Sequence, residues 1–110
     1  MEITCEKQDS IIILGVTGRL DTTNYMEFEK KLLDTIAEND KTVIDCTALE
    51  YVSSSGLRAL LMGMKKAESE GKKLVLCTLQ PGIKEIFRIS AFINLFKIYN
   101  TKEEAIAGIG

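Results

Sequence analysis

The 110-residue chain has no histidine and no tryptophan, a single proline, and only 6% aromatic residues. Without histidine it lacks the commonest general base, the imidazole of serine and cysteine triads, and the commonest zinc ligand. Any catalysis would need carboxylate, lysine or metal chemistry, and no spacing of Asp, Glu or Lys marks such a site. The three cysteines, Cys5, Cys46 and Cys77, are odd in number and far apart, so they are not a disulfide framework. Each lies in an apolar, β-rich stretch, where a free thiol is expected to act as a small hydrophobe. Apolar runs such as Ile11 to Leu14 are far too short to span a membrane. No basic segment followed by an apolar one opens the chain, so no secretory signal is expected. The expected address is the cytoplasm, without membrane insertion. Charge of either sign is also scarce in excess. There are 14 Lys+Arg against 16 Asp+Glu, a net charge of −2. No overall field draws a polyanion, and no direct nucleic-acid contact is expected.

Apolar residues make up 45% of the chain and charged residues 27%, a globular balance. One domain over residues 1–110 is expected, large enough to bury a core without staples. Ile3 to Cys5 reads as an edge strand. Ser10 to Val16 is a stronger strand, apolar on both faces, with Gly15 and Gly18 punctuating its end. Asp21-Thr22-Thr23 offers helix N-caps. Tyr25, Phe28, Leu32, Leu33 and Ile36 then fall on one helical face up to about Glu38. Thr42 to Cys46 reads as a buried strand. Leu57, Leu60, Leu61 and Met64 mark a helix ending near Gly71, with Met62 and Met64 expected in the core. Lys73 to Thr78 is another buried strand. Pro81 suits a first helical turn, with Ile83, Ile86, Phe87 and Ile89 on its inner face. Phe96 to Tyr99 is a last short strand, and Thr101 caps a final helix through Glu103, Glu104, Ala105 and Ile106.

Strands therefore alternate with helices after an initial hairpin-like pair. That order predicts an α/β fold: a mainly parallel sheet of four or five strands, an antiparallel N-terminal edge strand, and about four flanking helices.

The informative stretch runs from Thr42 to Met62. A buried strand ends at Asp45, a loop follows, and Ser53-Ser54-Ser55-Gly56 leads straight into a helix. Strand C-termini of a parallel sheet form its ligand-facing edge, so the serine run should lie on an exposed rim. Two readings stand. One is capping, for which a single serine suffices. The other is a functional serine. A helix N-terminus carries free N–H groups and positive partial charge, so a phosphate of about −1.5 to −2 charges is tolerated there. Gly56, lacking a Cβ, would let another backbone approach. A serine nucleophile would need an activating base. No Ser-x-x-Lys or GxSxG pattern frames these serines.

Three segments together resemble the STAS domain family of anti-sigma factor antagonists over nearly the full chain. They are Gly18-Arg19-Leu20-Asp21, Asp45-Cys46-Thr47 and Ser53-Ser54-Ser55-Gly56-Leu57. The resemblance implies a STAS fold and a binding module that is not an enzyme and carries no cofactor or metal. It implies that Ser54 is phosphorylated by a partner anti-sigma factor, an ATP-dependent serine kinase. By the same resemblance the unphosphorylated form is expected to bind that partner and free the sigma factor, so that the chain regulates sigma-factor-dependent transcription. A serine phosphatase reverses the modification. The family's usual Asp before the phosphorylated serine is Ser53 here, which leaves Ser53 or Ser55 as alternative acceptors. It also leaves open an unphosphorylated adaptor in another signalling or lipid-transport complex. Some family members sense nucleotides, but no Walker-type loop or GxGxxG is present.

The implied docking surface comprises Gly18, Asp21, Thr22 and Thr23 of the first loop and Ser53, Ser54, Ser55, Gly56 and Arg58 of the helix start, on a monomer. Asp21 and Asp45 are expected at strand ends near Ser54. Each either shapes the acceptor site or serves locally, Asp21 as a helix cap and Asp45 as a loop anchor. Arg58 is expected to point outward.

Overall fold

One long strand, β2 (Ile11–Leu20), organises the sheet. In the computed structural model, which describes residues 1–110, it pairs antiparallel with β1 (Glu2–Gln8). Gln8 faces Ile11 across the turn at Asp9 and Ser10. Asp9 adopts a φ of 56°, the left-handed conformation that tight hairpin turns require and Asp tolerates. The first half of β2 also pairs in parallel with β3 (Lys41–Asp45), and its last residues pair in parallel with β4 (Leu49–Val52). The register shifts between Gly18 and Arg19. Gly18 takes a φ of +88°, open to a residue without a Cβ. Its N–H donates to the Ala48 carbonyl at 2.9 Å. β5 (Lys73–Cys77) lies beside β3, and β6 (Ile98–Tyr99) beside β5, both in parallel. The order is β1-β2-β3-β5-β6, with β4 against β2.

The four helices are α1 (Tyr25–Glu38), α2 (Ser54–Ser69), α3 (Pro81–Ile89) and α4 (Lys102–Ile109). Successive strand residues point to opposite faces of the sheet. Leu14, Ile44 and Leu76 therefore pack with Phe28, Leu32, Leu60 and Phe87 from α1, α2 and α3. Ile13, Val43 and Val75 pack with Ala105 and Ile109 of α4 on the other face. Cover on both faces is why these strands read as unbroken apolar runs. α1 has no basic residue in its last turn. Lys72, from the approach to β5, supplies the cation: its Nζ donates to the carbonyls of Ile36 and Ala37 at 2.9 and 2.7 Å.

The α/β class and the antiparallel first strand are as the sequence predicts, and the sheet carries one strand more than the expected four or five. The addition is β4, in a stretch that reads as loop. Gly15 and Gly18 do not end β2. At Gly15 the missing side chain makes room for Thr4 of β1, and Gly18 absorbs the register shift. The last strand is shorter than expected, because Phe96 turns into the core against Phe87 and Phe92, with ring centroids 5.7 and 6.4 Å away. A single 3₁₀ turn, Phe92–Asn94, precedes it. Three side chains depart from expectation by facing water. Met62 is 41% and Ile89 73% exposed, each one step off the buried stripe of its helix, and Cys5 is exposed on β1. Cys46 and Cys77 are buried, and burial pushes both thiols up from their ordinary value. No helix is long and apolar enough to cross a membrane.

α1 and α2 meet at Gly63, where a methyl group would lie 2.9 Å from Leu32 Cγ and 3.3 Å from Ile36 Cδ1. Gly63→Ala should destabilise the fold by about 1–3 kcal/mol in urea titrations, the usual effect of overpacking. Gly82→Ala, whose methyl meets nothing within 4 Å, should leave the midpoint unchanged or raise it. Thiol titration with an aromatic disulfide should count one fast-reacting cysteine per native chain, Cys5, with Cys46 and Cys77 reacting only after unfolding.

Candidate functional site

The ends of β2, β3 and β4 converge with the start of α2 on one rim. Backbone hydrogen bonding makes the junction: the Ser53 N–H donates to the Leu20 carbonyl at 2.9 Å. That bond holds the serine run beside the Gly18–Thr23 segment, two stretches thirty positions apart in sequence. Ser53 is the N-cap of α2, with extended backbone and an Oγ that accepts from the Gly56 N–H at 3.1 Å. Its carbonyl accepts from Leu57 N–H at 2.9 Å. The cap is therefore filled by the first serine of the run. Ser54, the first residue of α2, is exposed, and Ser55 is half-buried.

Ser54 and Ser55 line a shallow hollow of about 200 Å³ with Tyr25 and Arg58. Arg58 is exposed, one helical turn after Ser54, and is the hollow's cation. Gly56 is buried. A Cβ there would lie 2.8 Å from Leu20 Cγ, 2.8 Å from Val52 Cγ2 and 3.1 Å from the Leu20 carbonyl oxygen. The missing side chain lets the start of α2 pack directly on Leu20 of β2 and Val52 of β4.

Asp21 and Asp45 sit at the ends of β2 and β3 and make the same turn. Asp21 Oδ1 accepts from the Thr23 N–H at 3.0 Å and Thr23 Oγ1 at 2.6 Å. Asp45 Oδ1 accepts from the Thr47 N–H at 3.0 Å and Thr47 Oγ1 at 2.6 Å. The N-cap of α1 is Asn24, not Asp21, Thr22 or Thr23, and its side chain does not cap the helix. Its Oδ1 accepts from Asp21 N–H and its Nδ2 donates to the Arg19 carbonyl, both at 2.9 Å. The Asp21 carbonyl accepts from Tyr25 N–H at 2.9 Å, so one extra turn precedes the helix. Neither aspartate lines the hollow at Ser54. Both lock their loops. Gln80, just before α3, adds a bond from Nε2 to the Thr47 carbonyl at 2.9 Å. Thr22 and Thr23 are exposed and Gly18 is half-buried.

Two residues on this rim escape sequence reasoning. Arg19 on β2 lies opposite Tyr51 on β4, its guanidinium 4.2 Å from the ring centroid, with Asp21 Oδ2 3.9 Å from Arg19 Nε. Stacked Arg and Tyr side chains are what protein interfaces favour at their centres. The only sequence signal was an aromatic at an outward position of a strand too short to recognise. No three His, Cys, Asp or Glu side chains cluster closely enough to hold a metal ion.

The rim thus presents an exposed hydroxyl between ordered loops, in a hollow lined by Tyr25, Ser54, Ser55 and Arg58 on a two-faced α/β domain. The family model of the STAS domain matches residues 2–105. BtrV of Bordetella bronchiseptica, whose name proposes an anti-sigma factor antagonist, is 33% identical over 108 residues, covering 97% of this chain and 93% of BtrV. A Thermotoga maritima protein proposed as an anti-sigma factor antagonist superposes with a TM-score of 0.90 at 20% identity, covering 97% of this chain and 93% of that one. The Bacillus cell fate determinant SpoIIAA, solved in its phosphorylated form, superposes at 0.76 with 20% identity, covering 99% of this chain and 100% of that one. The chain belongs to the STAS domain family.

Hydrogen bonds from Thr23, through its hydroxyl and then its amide, hold the Asp21 carboxyl below its ordinary value of 3.8. A depressed carboxylate pKa contributes stability above the unfolded value, and that contribution is lost as pH falls through the folded one. The Thr23 amide resonance should therefore stay constant from neutral pH down to the ordinary Asp range and move only below it. Asp21→Asn should remove that titration.

Proposed function

We propose that this chain is an anti-sigma factor antagonist whose docking is controlled at Ser54. It binds an anti-sigma factor that is also an ATP-dependent serine kinase, and thereby frees a sigma factor for transcription. The kinase transfers a phosphoryl group from ATP to Ser54 Oγ, the complex separates, and a serine phosphatase restores the hydroxyl. The protein acts as a monomer in the cytoplasm, without touching nucleic acid. The observation that carries this reading is the exposure of Ser54 as the first residue of α2, its neighbour Ser53 already committed as the cap.

The physics of the switch follows from that placement. A phosphate on Ser54 would meet the positive end of α2 and the Arg58 guanidinium, so the free protein would keep its fold. A partner covering the rim would strip water from the same dianion. A standard interface buries roughly 1,600 Å². Desolvating the dianion at its centre, with no further cation supplied by the partner, costs several kcal/mol. No conformational change is required. The contact set comprises the Gly18–Thr23 loop, Ser53 to Ser55 and Arg58, joined by Arg19 and Tyr51.

Ser53 also bears on the missing aspartate of the family pattern. Serine and aspartate are comparable N-caps, so the helix start keeps its geometry, and only the negative charge beside the acceptor is lost. That lost charge favours a second reading, an adaptor in another signalling or lipid-transport complex that is never phosphorylated.

Incubation with the cognate kinase and ATP should add one phosphate, mapped by mass spectrometry to Ser54. Ser54→Ala should block it while leaving docking intact. Ser54→Glu should weaken docking about a hundredfold, or ~2.7 kcal/mol, with an unchanged circular dichroism spectrum. A chain left unmodified at Ser53, Ser54 and Ser55, or a Ser54→Glu protein that docks like wild type, would overturn the switch at Ser54, and recovery of transporter subunits with no kinase in a pull-down would favour the adaptor reading.

A further inference from the structure

A larger cleft opens at the other end of α2, far from the rim. Glu68, on its wall, stands fourteen positions after Ser54, roughly 21 Å along the helix axis. The cleft encloses about 390 Å³, within the range of small-ligand sites. Its origin is the short last strand. β6 is in register only with Leu76 and Cys77, so Lys73 to Val75 have a partner in β3 and none on their outer side. The Leu76 N–H donates to the Lys97 carbonyl at 3.0 Å. Alternate strand residues bond to the same side, which turns the backbone N–H and C=O of Leu74 toward the gap. The chain before β6 leaves the sheet because Phe96 is drawn into the core with Phe87 and Phe92.

The walls are apolar, formed by Met64, Leu74, Val75, Leu95 and Ile109. The charges around them are unequal: Lys72, Lys73 and Lys97 against Glu68. Lys72 is already engaged by Glu70 at 3.3 Å and by the end of α1. Lys73 has only a 3.5 Å approach to the Ile109 carbonyl, and Lys97 only the Tyr99 ring at 5.9 Å. Two ammonium groups without carboxylate partners thus border an apolar gap that also presents a backbone donor.

We propose that this cleft binds a small amphipathic anion, with its apolar body along Leu74, Val75 and Leu95 and its head between Lys73 and Lys97. A medium-chain carboxylate is the simplest molecule of that class. The site is independent of docking at Ser54 and stands or falls separately.

The test is titration of the isotope-labelled full chain with octanoate, read by amide chemical shifts, with octan-1-ol as the neutral control. Saturable shifts are expected at Leu74, Val75, Leu95, Lys97 and Ile109, with none at Ser54. Octan-1-ol should bind at least fivefold more weakly. Lys97→Glu, a change at an exposed position, should weaken octanoate at least fivefold, and Leu95→Glu at the exposed edge of the cleft should do the same. Equal binding of the alcohol, or full affinity in Lys97→Glu, would overturn the proposal. So would shifts that fail to saturate, that centre elsewhere, or that follow protein concentration instead of octanoate.

Discussion

The start of α2 lies so close to the ends of β2 and β4 that residue 56 has no room for a methyl group between Leu20 and Val52. The Ser53 N–H closes the same junction by bonding to Leu20. Everything at the rim depends on this contact. It sets the angle at which α2 leaves the sheet and aligns Ser53 as the cap. It turns Ser54 to water and brings a loop from residue 18 beside a helix that begins at residue 54. The chemistry of the rim is simple, one hydroxyl and a few polar neighbours. What is demanding is holding that hydroxyl in a fixed place on a surface another protein can cover.

Two identical aspartate turns hold the rest. Asp21 and Asp45 each bind the amide and the hydroxyl of a threonine two residues on, at the ends of neighbouring strands. The loops that a partner would meet are thus ordered before it arrives. Less conformational entropy is then lost on association, and a modest contact area can suffice for specific docking. The Arg19–Tyr51 stack works in the same way: a flexible arginine is held flat against a ring, with Asp21 close by.

Local signals in the sequence carried much of this. Ser53 and Thr101 cap helices through bonds three residues away, and the apolar stripes of α1 and α2 repeat at helical intervals. Strands β3 and β5 were legible because both faces are covered. Non-local features were not. β4 is four residues long, too few to show a period, and its existence depends on the bend of β2 at Gly18. Tyr51 gained meaning only by pairing with Arg19, thirty-two positions earlier. The packing of Gly56 on Leu20 and Val52 is also non-local, since sequence alone does not show which strand ends the helix start meets. The gap beside β5 arises from where Phe96 packs, which no pattern in the final strand reveals.

β1 closes the sheet on the side away from β5, and its seven residues are exposed apart from Ile3. A strand with one side unpaired can recruit an identical strand from another molecule, and repetition of that step builds fibres. Glu2, Glu6 and Lys7 make such stacking unfavourable, because copies in register would set like charges against each other. Glu6 is also drawn toward α4 by Lys102 at 3.0 Å. The polar sequence of this first strand, which contributes little to either core, thus disfavours edge-to-edge pairing between copies of the chain.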